Sequence, residues 1–243
     1  SNIDITARRV MFNKTLNAGQ ICLAPDYVYV HETEKDNFVE ACKKQVNNFY
    51  SDLKYNPDYT SVINQKHYDR LNGLLSDAKD HGAEIVEINP ADEDFSQQES
   101  HKIPPTLVLN PNDDMQIMKE EIFGPLLPIK TYTDINEPIN YINKNDKPLG
   151  LYYFGNNKSE QSKVVNSTTS GGVTVNDIMG HIQQNELGFG GVGPSGMGKY
   201  DGFDGFMNFS NNKPIYKQIS FRLDKALDAI RPPYKGSLQG VLE

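Results

Sequence analysis

Residues 27–46 read YVYVHETEKDNFVEACKKQV, a β-forming run followed directly by a helical pattern. The run over 27–31 alternates tyrosine with valine and begins just after Pro25, which is typical of a strand. Thr33 is then a candidate N-cap for a helix. The apolar stripe of that helix comprises Phe38, Val39, Cys42 and Val46. A strand that leads at once into an amphipathic helix is the repeating unit of α/β proteins.

The same alternation continues along the chain. Helices are predicted from Asp4, as N-cap, to about Leu16, and then over about 64–81, 134–142 and 159–167. Strands are predicted over 84–88, 105–109, 126–132, 149–154 and 172–175. This order predicts an α/β domain, a three-layer sandwich with a mainly parallel sheet, over residues 1–200.

The ends of the chain and one glycine-rich region depart from this alternation. Residues 1–2 add nothing to the pattern and are interpreted as a cloning remnant. Residues 188–205 hold eight glycines and are predicted to be irregular backbone. Residues 201–243 form a predicted tail for packing or oligomerisation, with a β-like stretch over 214–221 and a short helix over 222–230.

Composition limits the class of protein. The chain has 243 residues, with 24 lysines and arginines against 32 aspartates and glutamates, so its net charge is −8. This balance argues against a nucleic-acid binder, which normally shows a basic face. No apolar run approaches the roughly 20 residues of a membrane helix, and the polar start predicts no signal peptide. A hydrophobic content of 37% is too high for a disordered tail.

Cysteine and histidine usage argues against metal and disulfide chemistry. The two cysteines and five scattered histidines show no metal-ligand spacing, so neither a structural zinc site nor a disulfide framework is expected. Such sparse cysteine usage fits a reducing cytoplasm, with a pairing of the two cysteines left open. Cys42, on the apolar stripe of its helix, is predicted to be a core residue.

Three segments are candidates for chemistry, and each also has a purely structural interpretation. Gly19-Gln20-Ile21-Cys22 sets a cysteine in a turn whose N–H groups could stabilise a thiolate, but cysteines are more often inert and buried. Residues 119–125 place paired carboxylates before Phe123; they could bind a hydroxylated ligand or form a solvated helix end. Glycine-rich residues 187–198 permit close approach of a ligand or of another chain segment. No Gly-x-Gly-x-x-Gly motif follows the first predicted strand, and residues 187–198 lack the Gly-Lys-Ser/Thr ending of a P-loop, so the sequence does not support phosphate binding.

Taken in order, these segments resemble the aldehyde dehydrogenase superfamily, along the C-terminal half of that family's chain. Residues 19–22 resemble its catalytic cysteine segment and 120–125 the segment that meets the nicotinamide ribose. Residues 170–176 and 189–193 resemble the strand and loop beside the substrate funnel. The spacings agree, with 99 residues from Cys22 to Glu121 and 68 from Glu121 to Phe189. The sequences of residues 24–27, 193–198 and 231–234 are most similar to those of the class 3 and coniferyl aldehyde dehydrogenase branch.

The resemblance implies a role for each matching residue. Cys22 becomes the nucleophile that attacks a small-molecule aldehyde, such as coniferyl or another aromatic aldehyde, with NAD or NADP as hydride acceptor. Glu121 and Phe123 become the residues that hold the nicotinamide ribose, because the family's glutamate directly precedes the Ile-Phe pair. Three further residues become candidates for the substrate funnel: Phe189, Asn176 and His181. The complete protein is expected to be a cytoplasmic homodimer.

Several parts of the family's machinery have no counterpart in the sequence. The general-base glutamate of a Glu-Leu-Gly-Gly motif, the oxyanion-hole asparagine and the cofactor-binding domain all lie further upstream in the family. We therefore interpret the chain as the catalytic domain of a truncated enzyme, and expect it to be inactive alone and not to bind NAD or NADP firmly. One local departure is Gly188, where the family usually carries proline.

Two other classes of function stay open. The chain could be a non-enzymatic interaction protein on the same fold, docking a partner subunit through residues 200–243. It could also be a stand-alone thiol hydrolase, which needs a base for Cys22, and His181 is the histidine that could approach in space.

Overall fold

The computed structural model describes residues 2–218 and 231–232. Within them the helices are α1 (Ile3–Thr15), α2 (Lys35–Phe49), α3 (Gln65–Asp80), α4 (Asn136–Lys144), α5 (Lys158–Ser167) and α6 (Gly202–Asn208). The strands are β1 (Val28–His31), β2 (Glu84–Glu87), β3 (Thr106–Leu109), β4 (Leu126–Tyr132), β5 (Gly150–Tyr153) and β6 (Gly172–Val175). None of the helices in these ranges is long and apolar enough to cross a membrane. The chain divides into two compact units, one ending at Asn208 and the other beginning at Phe209.

The strands pair mainly in parallel, which confirms the prediction. Four of them form a sheet in the order β1-β4-β3-β2, and β5 pairs with β6 in a separate two-stranded sheet. The pairs β1–β4, β3–β4 and β5–β6 are parallel, whereas β2 is antiparallel to β3. The connection from β2 to β3 contains no helix, and a parallel return normally requires such a crossover.

Helices cover both faces of the four-stranded sheet. Leu107 and Leu109 of β3 belong to the apolar cluster that includes α1 and α2, whereas Val108 belongs to the cluster that includes α3. Because successive side chains of a strand point to opposite faces, the sheet is the middle layer of three. The α/β class expected from the sequence is therefore confirmed.

Two predicted helix caps are wrong. Asn2, not Asp4, caps α1: its Oδ1 accepts a hydrogen bond from the Ile5 N–H at 3.2 Å. Asn2 is therefore part of the fold, contrary to the interpretation of residues 1–2 as adding nothing. Thr33 does not cap α2, because a short 3-10 turn over Glu32–Glu34 intervenes and α2 begins at Lys35.

The glycine-rich region is only partly irregular. Phe189 and Tyr200 exchange backbone hydrogen bonds of 2.7 and 2.9 Å, which close the loop between them. Helix α6 begins at Gly202, inside the stretch predicted to lack regular structure. Farther on, residues 214–218 contain no strand, contrary to the prediction, while 219–221 and the predicted helix over 222–230 lie outside the described residues.

Candidate active site

The cysteine turn, residues 19–25, follows directly on α1. Asn17 adopts a left-handed backbone conformation with φ of 51°, which ends the helix and redirects the chain. The Gln20 side chain then fixes the start of the turn, because its Nε2 donates to the Ser61 carbonyl at 3.0 Å. The turn leaves Cys22 exposed, as the sequence predicted, while Cys42 is buried in the core.

Two side chains hold the cysteine turn by its carbonyl groups. The Lys14 ammonium, buried beneath the turn, donates to the Pro25 carbonyl at 2.8 Å. The Tyr152 hydroxyl, on β5, donates to the Leu23 carbonyl at 2.8 Å. These bonds satisfy the carbonyls of Leu23 and Pro25, the first and third residues after Cys22.

Residues 120–125, called the ribose segment after the resemblance alone, are fixed against the cysteine turn. The Asp26 carboxylate accepts a hydrogen bond from the Ile122 N–H at 3.0 Å. Arg70 of α3 donates to the carbonyls of Glu121 and Ile122. Its guanidinium also lies 3.7 Å from the Glu120 carboxylate. Main-chain groups of the segment are thus held from two sides, which leaves the side chain of Glu121 free of these bonds.

Buried Lys14, partly buried Asp26 and Glu121 at the surface are electrostatically coupled. Burial lowers the pKa of Lys14 from 10.5 to about 8, against the opposing attraction of Asp26 and Glu121. Burial also raises the pKa of Asp26, and Lys14 partly offsets that shift. Desolvation and the neighbouring Asp26 both raise the pKa of Glu121. Lys14 therefore attracts both carboxylates, whereas Asp26 opposes the ionisation of Glu121.

One cleft brings three of the predicted site residues together. Cys22, Glu121 and Phe123 all line a cavity of about 1350 Å³, which Tyr152 also borders. Phe123 has a left-handed backbone with φ of 46°, a strained conformation for an aromatic residue, and the residue is 37% exposed. An exposed aromatic next to a carboxylate suits a ligand that combines a flat ring with hydroxyl groups.

The three predicted funnel residues do not border this cleft in the described structure. Phe189 is buried, and its ring stacks on His181 with centroids 6.1 Å apart. The His181 Nδ1 is 2.8 Å from the Thr174 hydroxyl. The Asn176 side chain accepts from the Gly155 N–H at 2.8 Å and donates to the Gly155 carbonyl at 3.1 Å, so it ties together the ends of β5 and β6.

Lys14, Asp26, Arg70 and Tyr152 were missed as site residues by sequence reasoning. Lys14 did leave a signal: it follows Ala7 and Val10 on the inward stripe of α1, where a charged residue is unexpected. The other three carried no comparable local signal. The described residues contain no cluster of histidine, cysteine and acidic side chains able to hold a metal ion.

Comparisons with known proteins relate the chain to one enzyme family. The sequence profile described as the aldehyde dehydrogenase family matches residues 1–215. A probable coniferyl aldehyde dehydrogenase of Caulobacter vibrioides is 52% identical over 228 residues, which cover 94% of this chain and 47% of the relative. The coniferyl aldehyde dehydrogenase of a Pseudomonas species is 47% identical, over 97% of this chain and 49% of the relative.

Solved structures show the same relationship. The substrate-bound state of Staphylococcus aureus AldH superposes with a TM-score of 0.78 at 36% identity, covering 99% of this chain and 50% of that one. The chain thus spans about half the length of the curated relatives it matches. Because the family profile matches most of its residues, the chain belongs to the aldehyde dehydrogenase family.

Proposed function

We propose that this chain supplies the catalytic half of an NAD(P)-dependent aldehyde dehydrogenase that oxidises an aldehyde to the carboxylic acid. The observation that carries the proposal is the convergence of Cys22, Glu121 and Phe123 on one cleft. An exposed thiol and a partly desolvated carboxylate beside an exposed aromatic provide a nucleophile and a place for a ribose in the same cavity. Membership of the family supports this assignment.

Cys22 is proposed to act as the nucleophile. Its thiol proton passes to water, the thiolate sulfur forms a C–S bond with the aldehyde carbon, and the carbonyl electrons move to the oxygen, where the Cys22 backbone N–H stabilises the negative charge. When those electrons re-form the carbonyl, hydride would leave the carbon for a bound nicotinamide, and a thioester remains on Cys22. Water then cleaves the C–S bond, which releases the acid and returns the thiol. The chain holds the sulfur in position through the carbonyl contacts of Lys14 and Tyr152.

Glu121 and Phe123 fit the nicotinamide riboside portion of the cofactor. The Glu121 carboxylate is not occupied by the bonds that hold its segment, so it can accept hydrogen bonds from ribose hydroxyls. The exposed ring of Phe123 offers an apolar face beside it. When bound, NAD or NADP supplies the hydride acceptor. We propose that firm binding needs more of the protein than this chain.

The proposed substrate, oligomeric state and cellular location rest on the relatives, the family resemblance and the cysteines. An aromatic substrate such as coniferyl aldehyde is proposed because relatives with 52% and 47% identity bear that name. A homodimer is proposed from the resemblance to the class 3 branch. The two cysteines, both free, support a cytoplasmic location.

The two alternative classes lack comparable support. A thiol hydrolase needs a base beside Cys22, but the His181 Nδ1 is engaged with the Thr174 hydroxyl at 2.8 Å and the histidine does not border the cleft in the described structure. A non-enzymatic interaction protein would depend on residues 200–243, much of which lies outside the described residues.

The decisive experiment compares two cysteine variants of the protein expressed from its complete gene. Cys22→Ala should lower NAD(P)-coupled oxidation of coniferyl aldehyde, benzaldehyde and aliphatic aldehydes by at least about a thousandfold, because no other group supplies the nucleophile. Cys42→Ala is the matched control and should keep most of the activity. Full activity in the Cys22→Ala variant, or no aldehyde oxidation by the parent protein, would contradict the proposal.

A further inference from the structure

We infer that Tyr152 is a positioning residue for Cys22, a role that rests on the function proposed above. Tyr152 lies on β5, 130 residues from the cysteine in sequence. Its hydroxyl donates a 2.8 Å hydrogen bond to the carbonyl of Leu23, the residue that directly follows Cys22. The thiolate form of Cys22 is also close enough to oppose ionisation of the phenol.

The space around this hydrogen bond depends on a glycine. A β-carbon on Gly150 would lie 2.8 Å from the Tyr152 hydroxyl oxygen and 3.0 Å from a methyl group of Leu23. Any larger residue at position 150 would therefore push the hydroxyl away from the turn. Strand β5 thus provides both the donor and the space that it needs.

Burial keeps the Tyr152 hydroxyl protonated. The nearby Met179 N–H favours the ionised form, but desolvation is the larger effect. Burial raises the pKa of Tyr152 above the range in which enzymes work, and the phenol therefore keeps the proton that it donates to Leu23.

These contacts act on the nucleophile and not on the ribose segment. The segment that carries Glu121 is held by Asp26 and Arg70, neither of which is a hydrogen-bond partner of Tyr152 in the contacts described above. Removal of the hydroxyl leaves the buried Leu23 carbonyl without this donor and releases the turn around Cys22. We therefore expect the chemical step to slow while cofactor binding stays unchanged.

The next residue on the strand provides a matched control. Tyr153 points to the opposite face of β5, and its hydroxyl donates to the Glu160 carboxylate at 2.8 Å. Tyr153 is buried, whereas Tyr152 is partly buried. Tyr153→Phe therefore removes the same hydroxyl group from a side chain whose hydrogen bonds are made with Asn157 and Glu160 instead of with the cysteine turn.

The test measures Cys22 reactivity and turnover separately. In the 243-residue chain, the rate of Cys22 alkylation by iodoacetamide at fixed pH is followed by peptide mass spectrometry for the parent, Tyr152→Phe and Tyr153→Phe. In the protein from the complete gene, kcat and the KM for NAD(P) are measured for the same variants. We expect Tyr152→Phe to change the alkylation rate and to lower kcat about tenfold, with the KM for NAD(P) within about twofold of the parent. Tyr153→Phe should match the parent in all three.

Gly150→Ala keeps the test informative if Tyr152→Phe does not fold. It displaces the hydroxyl without removing it, so it should lower kcat in the same way. Parent-like kcat in Tyr152→Phe, or equal losses in Tyr152→Phe and Tyr153→Phe, would overturn the inference. If the parent enzyme oxidises no aldehyde, the proposed function fails, but parent-like alkylation of Tyr152→Phe would still count separately against Tyr152.

Discussion

Gly19 packs directly against the main chain of Gly124, so closely that a β-carbon on Gly19 would lie 2.2 Å from the Gly124 carbonyl oxygen. Gly19 also has a left-handed backbone with φ of 72°. This contact joins the cysteine turn to the ribose segment through two main chains, without an intervening side chain. The distance between Cys22, the proposed nucleophile, and Glu121, proposed to bind the ribose, therefore depends on this contact between two glycines.

Gly19→Ala is expected to lower the free energy of unfolding by about 2–4 kcal/mol, because it combines an unfavourable φ with a clash against a backbone oxygen that cannot move cheaply. Urea denaturation of the 243-residue chain measures this. Gly73→Ala is the control, since Gly73 lies in α3 with nothing within 4 Å of a new β-carbon. That variant should be more stable by about 0.5–1 kcal/mol. Equal stability of the two variants would refute this account.

Local sequence patterns predicted the helices, strands and turns well, but predicted poorly which side chains form hydrogen bonds with them. The alternation over 27–31 and the turn before Cys22 are local features, and the structure confirms both. The caps failed because several polar residues near each helix start compete for the same N–H groups, and Asn2 rather than Asp4 makes the bond.

The supporting residues of the site could not be predicted, because their partners are distant in sequence. Lys14 is stabilised by Glu121, and Tyr152 binds Leu23; in both cases more than a hundred residues intervene. Only the tertiary structure brings such pairs together. Cys22, Glu121 and Phe123 were named because their motifs are local, and the structure places all three on one cleft.

The pH dependence of stability should carry a signal from Lys14. Its pKa is 10.5 in the unfolded chain and about 8 when folded, so between these values the unfolded state binds more protons. Below pH 8 the buried charge of Lys14 lowers the free energy of unfolding by its full amount. This loss is relieved as the pH rises toward 10.5. Relative to Lys14→Met, the parent should therefore gain up to about 3 kcal/mol of unfolding free energy across this window.

Comparison with Lys14→Met removes the contribution of the tyrosines, which also titrate near the upper end of the window. Urea denaturation of both proteins at pH 7, 8, 9 and 10 gives the difference at each pH. A difference that stays constant with pH would show that Lys14 is not desolvated in the folded protein.

Asp26 should affect cofactor binding through the main chain of the ribose segment. Asp26→Ala removes the acceptor of the Ile122 N–H and leaves the ribose segment held by Arg70 from one side, so we expect the KM for NAD(P) to rise about tenfold in the protein from the complete gene. Asp26→Asn keeps an oxygen at the same position and should raise KM much less, although it removes the charge that attracts Lys14. Equal KM values for the two variants would contradict this role.

The two cysteines should differ in reactivity by more than a hundredfold in the native chain. Burial raises the pKa of Cys42 well above its ordinary value and shields its sulfur, whereas Cys22 is exposed on its turn. Iodoacetamide should therefore label Cys22 in the folded protein, and Cys42 only as the chain opens. Mass-spectrometric mapping at increasing urea concentration checks this, because Cys42 labelling should rise together with the unfolding transition measured by circular dichroism. Labelling of Cys42 well below that transition would mean that α2 separates from the sheet before the rest of the fold is lost.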